Sequence, residues 1–187
     1  MRSRTLLAMM APLVLAATHP TPTVVLIKQT DLIRRTLAEA TRFFLRTVTV
    51  GKEDLAQIRK EIDYTPEDPN VKFYVGRRAG GEPAGVVFFP QVNTSHGPLE
   101  IGLTMTPDGA IASVLVTRAT VETRPWVEEA VATGMLNRFR GMRHGDGIEA
   151  ALDRAAGGAG GMARYEAEVI TTAVHHGLVL YHYLYRE

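Results

Sequence analysis

The stretch L-E-I-G-L-T-M-T-P-D-G-A-I-A-S-V-L-V-T, residues 99–117, constrains the fold most tightly. Two β-rich runs, 99–105 and 110–117, flank a T-P-D-G turn with Pro107 and Gly109 at favoured turn positions. Such a hairpin commits the chain to antiparallel pairing, because parallel strands need a much longer crossover. A second hairpin is read from V-K-F-Y-V (71–75) and A-G-V-V-F-F (84–89), separated by the turn-forming R-R-A-G-G-E-P.

Helical spacing brackets these strands. Leu32, Ile33, Leu37, Ala40, Phe44 and Val48 predict an amphipathic helix over 31–48, with Thr30 or Asp31 as its cap. A shorter helix over 53–62 carries Leu55, Ile58 and Ile62 inward and ends before the turn T-P-E-D-P-N. Beyond the second hairpin, Trp126, Val127, Ala130, Val131, Met135 and Phe139 predict a helix over 125–139, and another short one spans 147–156. A glycine-rich loop, 157–161, then leads into a final helix that includes 164–174 and the apolar, aromatic-tipped 175–185. The expected class is α+β: an antiparallel sheet of two hairpins packed with an N-terminal helix and C-terminal helices.

Length and composition narrow the functional classes. At 187 residues the chain supports one core. Its 21 lysines and arginines against 20 aspartates and glutamates provide no basic field for nucleic acid. Without cysteine there is no disulfide, thiolate metal site, lipoprotein anchor or c-type haem attachment. M-R-S-R followed by T-L-L-A-M-M-A-P-L-V-L-A-A has the basic-then-apolar pattern of an export signal. Cleavage near Ala16 or Ala17 and retention as an uncleaved membrane anchor are both open. The division expected is an export signal or anchor with its linker over 1–23 and a single domain over 24–187.

Three segments together carry a resemblance: 73–89, then G-L-T-M-T-P-D-G-A-I-A-S-V-L-V-T-R (102–118), then M-L-N-R-F-R-G (135–141). They look like the FMN-binding domain of extracytoplasmic subunits in Rnf- and Nqr-type redox complexes, from Val71 to the C-terminus. Gly109 to Val116 is similar to that family's G-x-V-x-x-V-x-V strand, and 136–141 echoes its F-x-x-Q-F-x-G. The family's signature is D-x-x-S-G-A-T-x-S/T at a helix start, where the threonine hydroxyl is joined to the FMN phosphate. Here the corresponding run is R-Y-E-A-E-V-I-T-T-A-V (164–174), with Tyr165 at the serine, Glu166 at the glycine, Ala167 at the alanine and Glu168 at the acceptor.

That departure bears on chemistry. A glutamyl phosphate is a labile acyl phosphate, so covalent FMN at Glu168 is not expected. A carboxylate about 4 Å from a phosphate charge costs about 4 kcal/mol at an effective dielectric near 20. A helix N-terminus returns only about 0.3–1 kcal/mol per anion. Noncovalent binding at this place therefore needs Glu168 turned away or neutralised by Arg164. In the structural reading, Glu166 and Glu168 themselves complement the helix dipole. The residues of this degenerate flavin site are Glu168, Thr171, Thr172 and Trp126. Thr171 and Thr172 offer hydroxyls one turn on, and Trp126 with Tyr181, Tyr183 and Tyr185 offers a stacking platform for a flavin ring.

Other motifs carry less. Gly158, Gly160 and Ala163 fit G-x-G-x-x-A, but no strand precedes them and no acidic residue follows at the dinucleotide spacing. His175, His176 and His182 share the last helix, and His144 with Asp146 joins them in a metal site only if the fold brings that loop across. No nucleophile, base and acid fall in a recognisable order, so no independent catalytic activity is expected. The resemblance thus implies an exported, periplasmic or outer-face accessory or structural subunit of a membrane electron-transfer complex, without covalent flavin. It associates with membrane redox subunits, with possible membrane contact through the N-terminus. The alternative is an electron carrier that binds FMN noncovalently.

Overall fold

A computed structural model describes residues 21–148 and 160–185. Over these residues the chain is α+β, with a seven-stranded antiparallel sheet between one N-terminal helix and a set of later helices. In chain order, β1 (Thr23–Val25) precedes α1 (Gln29–Thr36), β2 (Arg42–Thr49), α2 (Lys52–Ile62), β3 (Asn70–Arg77) and β4 (Pro83–Phe88). Then come β5 (Gln91–Thr94), β6 (Gly97–Met105), β7 (Ile111–Thr120), α3 (Arg124–Ala132), a 3-10 turn (Met135–Phe139) and α4 (Gly161–Leu184). The strand order is β1-β7-β6-β4-β3-β2, with β5 pairing to the first half of β6.

Both expected hairpins form. Tyr74 lies opposite Val87 in one, and Leu103 opposite Val114 in the other. The sheet is nevertheless wider than two hairpins, because β1, β2 and β5 add to it. β2 corrects the helix expected over 31–48. That helix stops at Thr36, and R-F-F-L-R-T-V-T pairs with β3 along its whole length, from Arg42↔Arg77 to Thr49↔Asn70. Phe44 and Val48 are four apart, a spacing that shares a face in a strand as well as in a helix, while the aromatic and β-branched content favours extension. The helix cap is also displaced: Lys28 precedes the first turn without a side-chain cap bond, so Thr30 and Asp31 lie inside the helix.

The helix expected over 125–139 divides in two. Gly134, at φ 77, ends α3 in the left-handed region, and the chain continues as the 3-10 turn. The helix over 53–62 is present as α2, with Ile58 buried. The expected helix over 147–156 and the loop up to 159 lie outside the described residues, apart from Gly147 and Ile148.

The sheet buries both faces. On one, Leu32 and Ile33 of α1, with Leu37 just past its end, pack against Val87. On the other, α2, α3 and α4 enclose the larger core, which includes Phe73, Phe88, Leu103, Met105, Val127, Ile170 and Val174. The 24 residues of α4 run through this core, buried from Ala163 to Leu184 along one broad face.

Candidate functional site

The start of α4 is the place the resemblance singles out. Gly160 is extended at φ −114 and ψ 164, Gly161 follows at φ 54, and Arg164 N–H opens the helical ladder to the Gly160 carbonyl. Only the first N–H groups of a helix are free for an anion. Glu168 lies seven residues beyond Gly161, roughly two turns inside the helix. Its carboxylate faces Arg164, with Nε 3.3 Å from Oε1, so the neutralisation considered from the sequence is present.

Glu166 departs from the expected dipole complement. It is 1 % exposed, and its Oε1 has no hydrogen-bond partner among the described residues. Burial pushes its carboxyl up to about 7, against the opposing pull of His96, so it is not a standing surface anion. It also lies past the first turn, where the dipole's effect has fallen away.

Aromatic rings surround this end. His96, in the β5–β6 turn, packs edge-on against Trp126 at 5.5 Å and Tyr165 at 5.8 Å, and its Nδ1 is 3.1 Å from Glu122 Oε1. Trp126 is thus half-buried near the helix start. The tyrosines belong to the other end: Tyr181 and Tyr185 stack at 4.9 Å and meet Phe73. Sixteen residues of helix, about 24 Å, separate Tyr165 from Tyr181. Trp126 and the tyrosines therefore do not form one platform. Both threonine hydroxyls turn back on α4: Thr171 donates to Ala167 O at 2.8 Å and Thr172 to Glu168 O at 3.0 Å.

The loop carrying His144 does cross to α4. His144 stacks on His182 at 3.8 Å and 5°, with its Nε2 2.8 Å from Glu61 Oε1, while Tyr183 donates to the other oxygen of Glu61. Asp146 instead accepts from the Arg143 backbone N–H. Among the described residues, no group of three or more His, Cys, Asp or Glu side chains could hold a metal ion.

A separate cleft of ≈ 580 Å³ lies farther along α4. His176 and Leu180 lie on one side, the 64–72 segment forms a lip, and Phe88 to Asn93 complete the wall. Tyr64 covers His176 with ring centroids 4.1 Å apart, and its hydroxyl donates to Gln91 O at 3.4 Å. Asn93 donates to Glu67, fastening the lip to β5. At the back, the buried Glu100 accepts from Gln29 Nε2 at 3.1 Å and from Thr117 Oγ1 at 2.7 Å. His176 Nδ1 is buried with no hydrogen-bond partner among the described residues, and burial, aided by His175, pushes this imidazole down to about 4. The ring is neutral at physiological pH.

The volume suits a small molecule, and aromatic walls suit a planar one. Its charge does not suit a phosphate: Glu67, Asp68 and Glu100 line it against Lys72. None of Glu168, Thr171, Thr172 or Trp126 lines this cleft. Its residues come from α1, the α2–β3 connection and strands β3 to β6 as well as α4, so no local motif marks it. The nearest sequence signals are Glu100 inside an apolar strand and the T-P-E-D-P-N turn.

No protein-family model, curated protein or solved structure matches this chain.

Proposed function

We propose that the protein is an extracytoplasmic FMN-binding-domain-like chain that carries no covalent flavin and serves as an accessory or structural subunit of a membrane electron-transfer complex. One observation carries the loss of flavin: the residue at the acceptor position is Glu168, two turns inside α4 and paired with Arg164. A carboxylate there makes no lasting phosphoester, and backbone N–H groups at that depth are committed to the helix. The ancestry rests on the sequence echoes and is compatible with the α+β frame; the outer-face location rests on the basic-then-apolar N-terminus.

The experiment is co-expression of the full chain with a flavin transferase, followed by intact-mass analysis and a visible spectrum. An unmodified, colourless chain is expected, and a stoichiometric flavin adduct overturns the reading. Native purification with mass analysis of co-purifying chains tests the partner assignment, for which membrane redox subunits are expected. The combined change Tyr165→Ser, Glu166→Gly and Glu168→Thr rebuilds the family's loop, and uptake of FMN by that variant supports the ancestry.

A noncovalent FMN carrier is the second reading, favoured by the volume and aromatic walls of the cleft. The cleft's carboxylates require the FMN phosphate to face solvent. Under this reading, riboflavin and FMN bind alike. Absence of flavin fluorescence quenching by micromolar protein removes it.

A further inference from the structure

We infer that the cleft between β3 and β5 binds a small planar organic cation, with Glu100 as its counter-ion and aromatic rings as its walls. The cleft is built into the sheet. β3 is in register with β4 only from Tyr74 onward, so residues 70–73 pair with β2 but not with β4. Beyond Phe88 the chain turns off at Pro90 and continues as β5, which pairs with β6. The two strands thus diverge, and the ≈ 580 Å³ space is lined by 70–72 on one side and 91–93 on the other. Two aromatic pairs also line it: Tyr74 with Phe89 edge-on at 5.8 Å, and Tyr64 with His176 at 4.1 Å between centroids. Such a volume and such walls fit a ring system of two or three fused rings. Binding there is independent of whether the chain carries covalent flavin.

The charges select a cation. Glu67, Asp68 and Glu100 line the cleft against Lys72. Glu100 is 7 % exposed, and its carboxylate is held by neutral donors: Gln29 Nε2 at 3.1 and 3.2 Å and Thr117 Oγ1 at 2.7 Å. Arg118 is its neighbour across the β6–β7 ladder, yet no lysine, arginine or histidine among the described residues ion-pairs with it. A buried carboxylate without a counter-charge is costly, and proteins ordinarily pair one. A ligand ammonium or amidinium supplies that charge, and the ring faces attract it further. His176 Nδ1, buried with no hydrogen-bond partner among the described residues, adds a neutral hydrogen-bonding position on the α4 wall. An anion would meet the carboxylates instead. A hard metal ion needs several oxygen ligands, and no such group is assembled among the described residues.

The test titrates the full chain at pH 7 with three fluorescent three-ring probes that differ in charge: proflavine, a cation; riboflavin, neutral; and fluorescein, an anion. Proflavine is expected to bind saturably at micromolar concentration, at least about tenfold more tightly than the other two. Glu100→Gln keeps the shape and removes the charge; it is expected to weaken proflavine by about 10- to 100-fold. Glu129→Gln, exposed on α3, is expected to leave binding unchanged. Lys72→Gln, on the exposed lip, alters the charge without touching the interior and is expected to strengthen proflavine by about two- to fivefold. No saturable proflavine binding, riboflavin or fluorescein binding as tightly, a folded Glu100→Gln with the parent's affinity, or a Lys72→Gln that binds no better overturns the proposal. A noncovalent flavin site gives the second of these outcomes, and a cleft filled by any residue beyond those described gives the first.

Discussion

Arg164 Nε stands 3.3 Å from Glu168 Oε1, one turn apart on the exposed side of α4. The pair neutralises the carboxylate at the position that the proposed resemblance aligns with a flavin acceptor, but it is a surface pair and contributes little to stability. Glu168→Thr is therefore expected to change stability by less than about 0.5 kcal/mol in chemical denaturation. Because the new hydroxyl still lies two turns inside the helix, the same variant is expected to remain unmodified in the presence of a flavin transferase.

Glu166 gives the chain a pH dependence of definite sign. Its folded value of about 7 is above the ordinary carboxyl value of 4.5, so folding favours the protonated form. The resulting stability is fully present below pH 4.5 and is lost as pH rises through about 7. Glu166→Gln removes the ionisation. At pH 8 that variant is expected to exceed the unmodified chain by on the order of 2 kcal/mol, with the difference vanishing near pH 4. Urea unfolding across this range measures it.

His176 acts in the opposite sense. Its folded value of about 4, below the ordinary 6.5, means that the unfolded chain takes up the proton first. Stability is lost as pH falls from 6.5 to about 4. His176→Phe removes the buried Nδ1, which has no partner among the described residues, and retains a ring against Tyr64. It is expected to be near neutral at pH 7, because an unsatisfied polar atom is replaced by an apolar one, and to flatten the acid limb of the stability profile.

Gly85 tests the sheet's packing. It sits at φ +144 on β4, and an added Cβ would lie 2.7 Å from Met105 O and 3.0 Å from a methyl of Leu37. Backbone strain and overpacking act together. Gly85→Ala is expected to destabilise by roughly 2–4 kcal/mol, read as a shift of the denaturation midpoint with an unchanged slope.

Legibility followed the locality of each signal. The T-P-D-G hairpin and Ile58 of α2 were readable because turn chemistry and helical period lie within a dozen residues. β2 was not, since Leu32, Leu37, Phe44 and Val48 satisfy helix spacing until β3 supplies a pairing partner. The four-residue β5 was too short to declare itself. At the candidate sites, the glycine entry and final helix were legible, as was the Arg164–Glu168 pairing. Burial of Glu166 was not, because it depends on packing from outside α4. The cleft was hidden for a related reason: Tyr64 and His176 are remote in sequence and meet only after α2 and α4 pack.

The central proposal is that this chain carries no covalent flavin. Intact mass and visible absorption of the full chain after co-expression with a flavin transferase test it most directly. An unmodified mass, apart from any N-terminal processing, and no flavin absorption are expected. A stoichiometric, denaturation-resistant yellow adduct mapped to Glu168, Thr171 or Thr172 would contradict it.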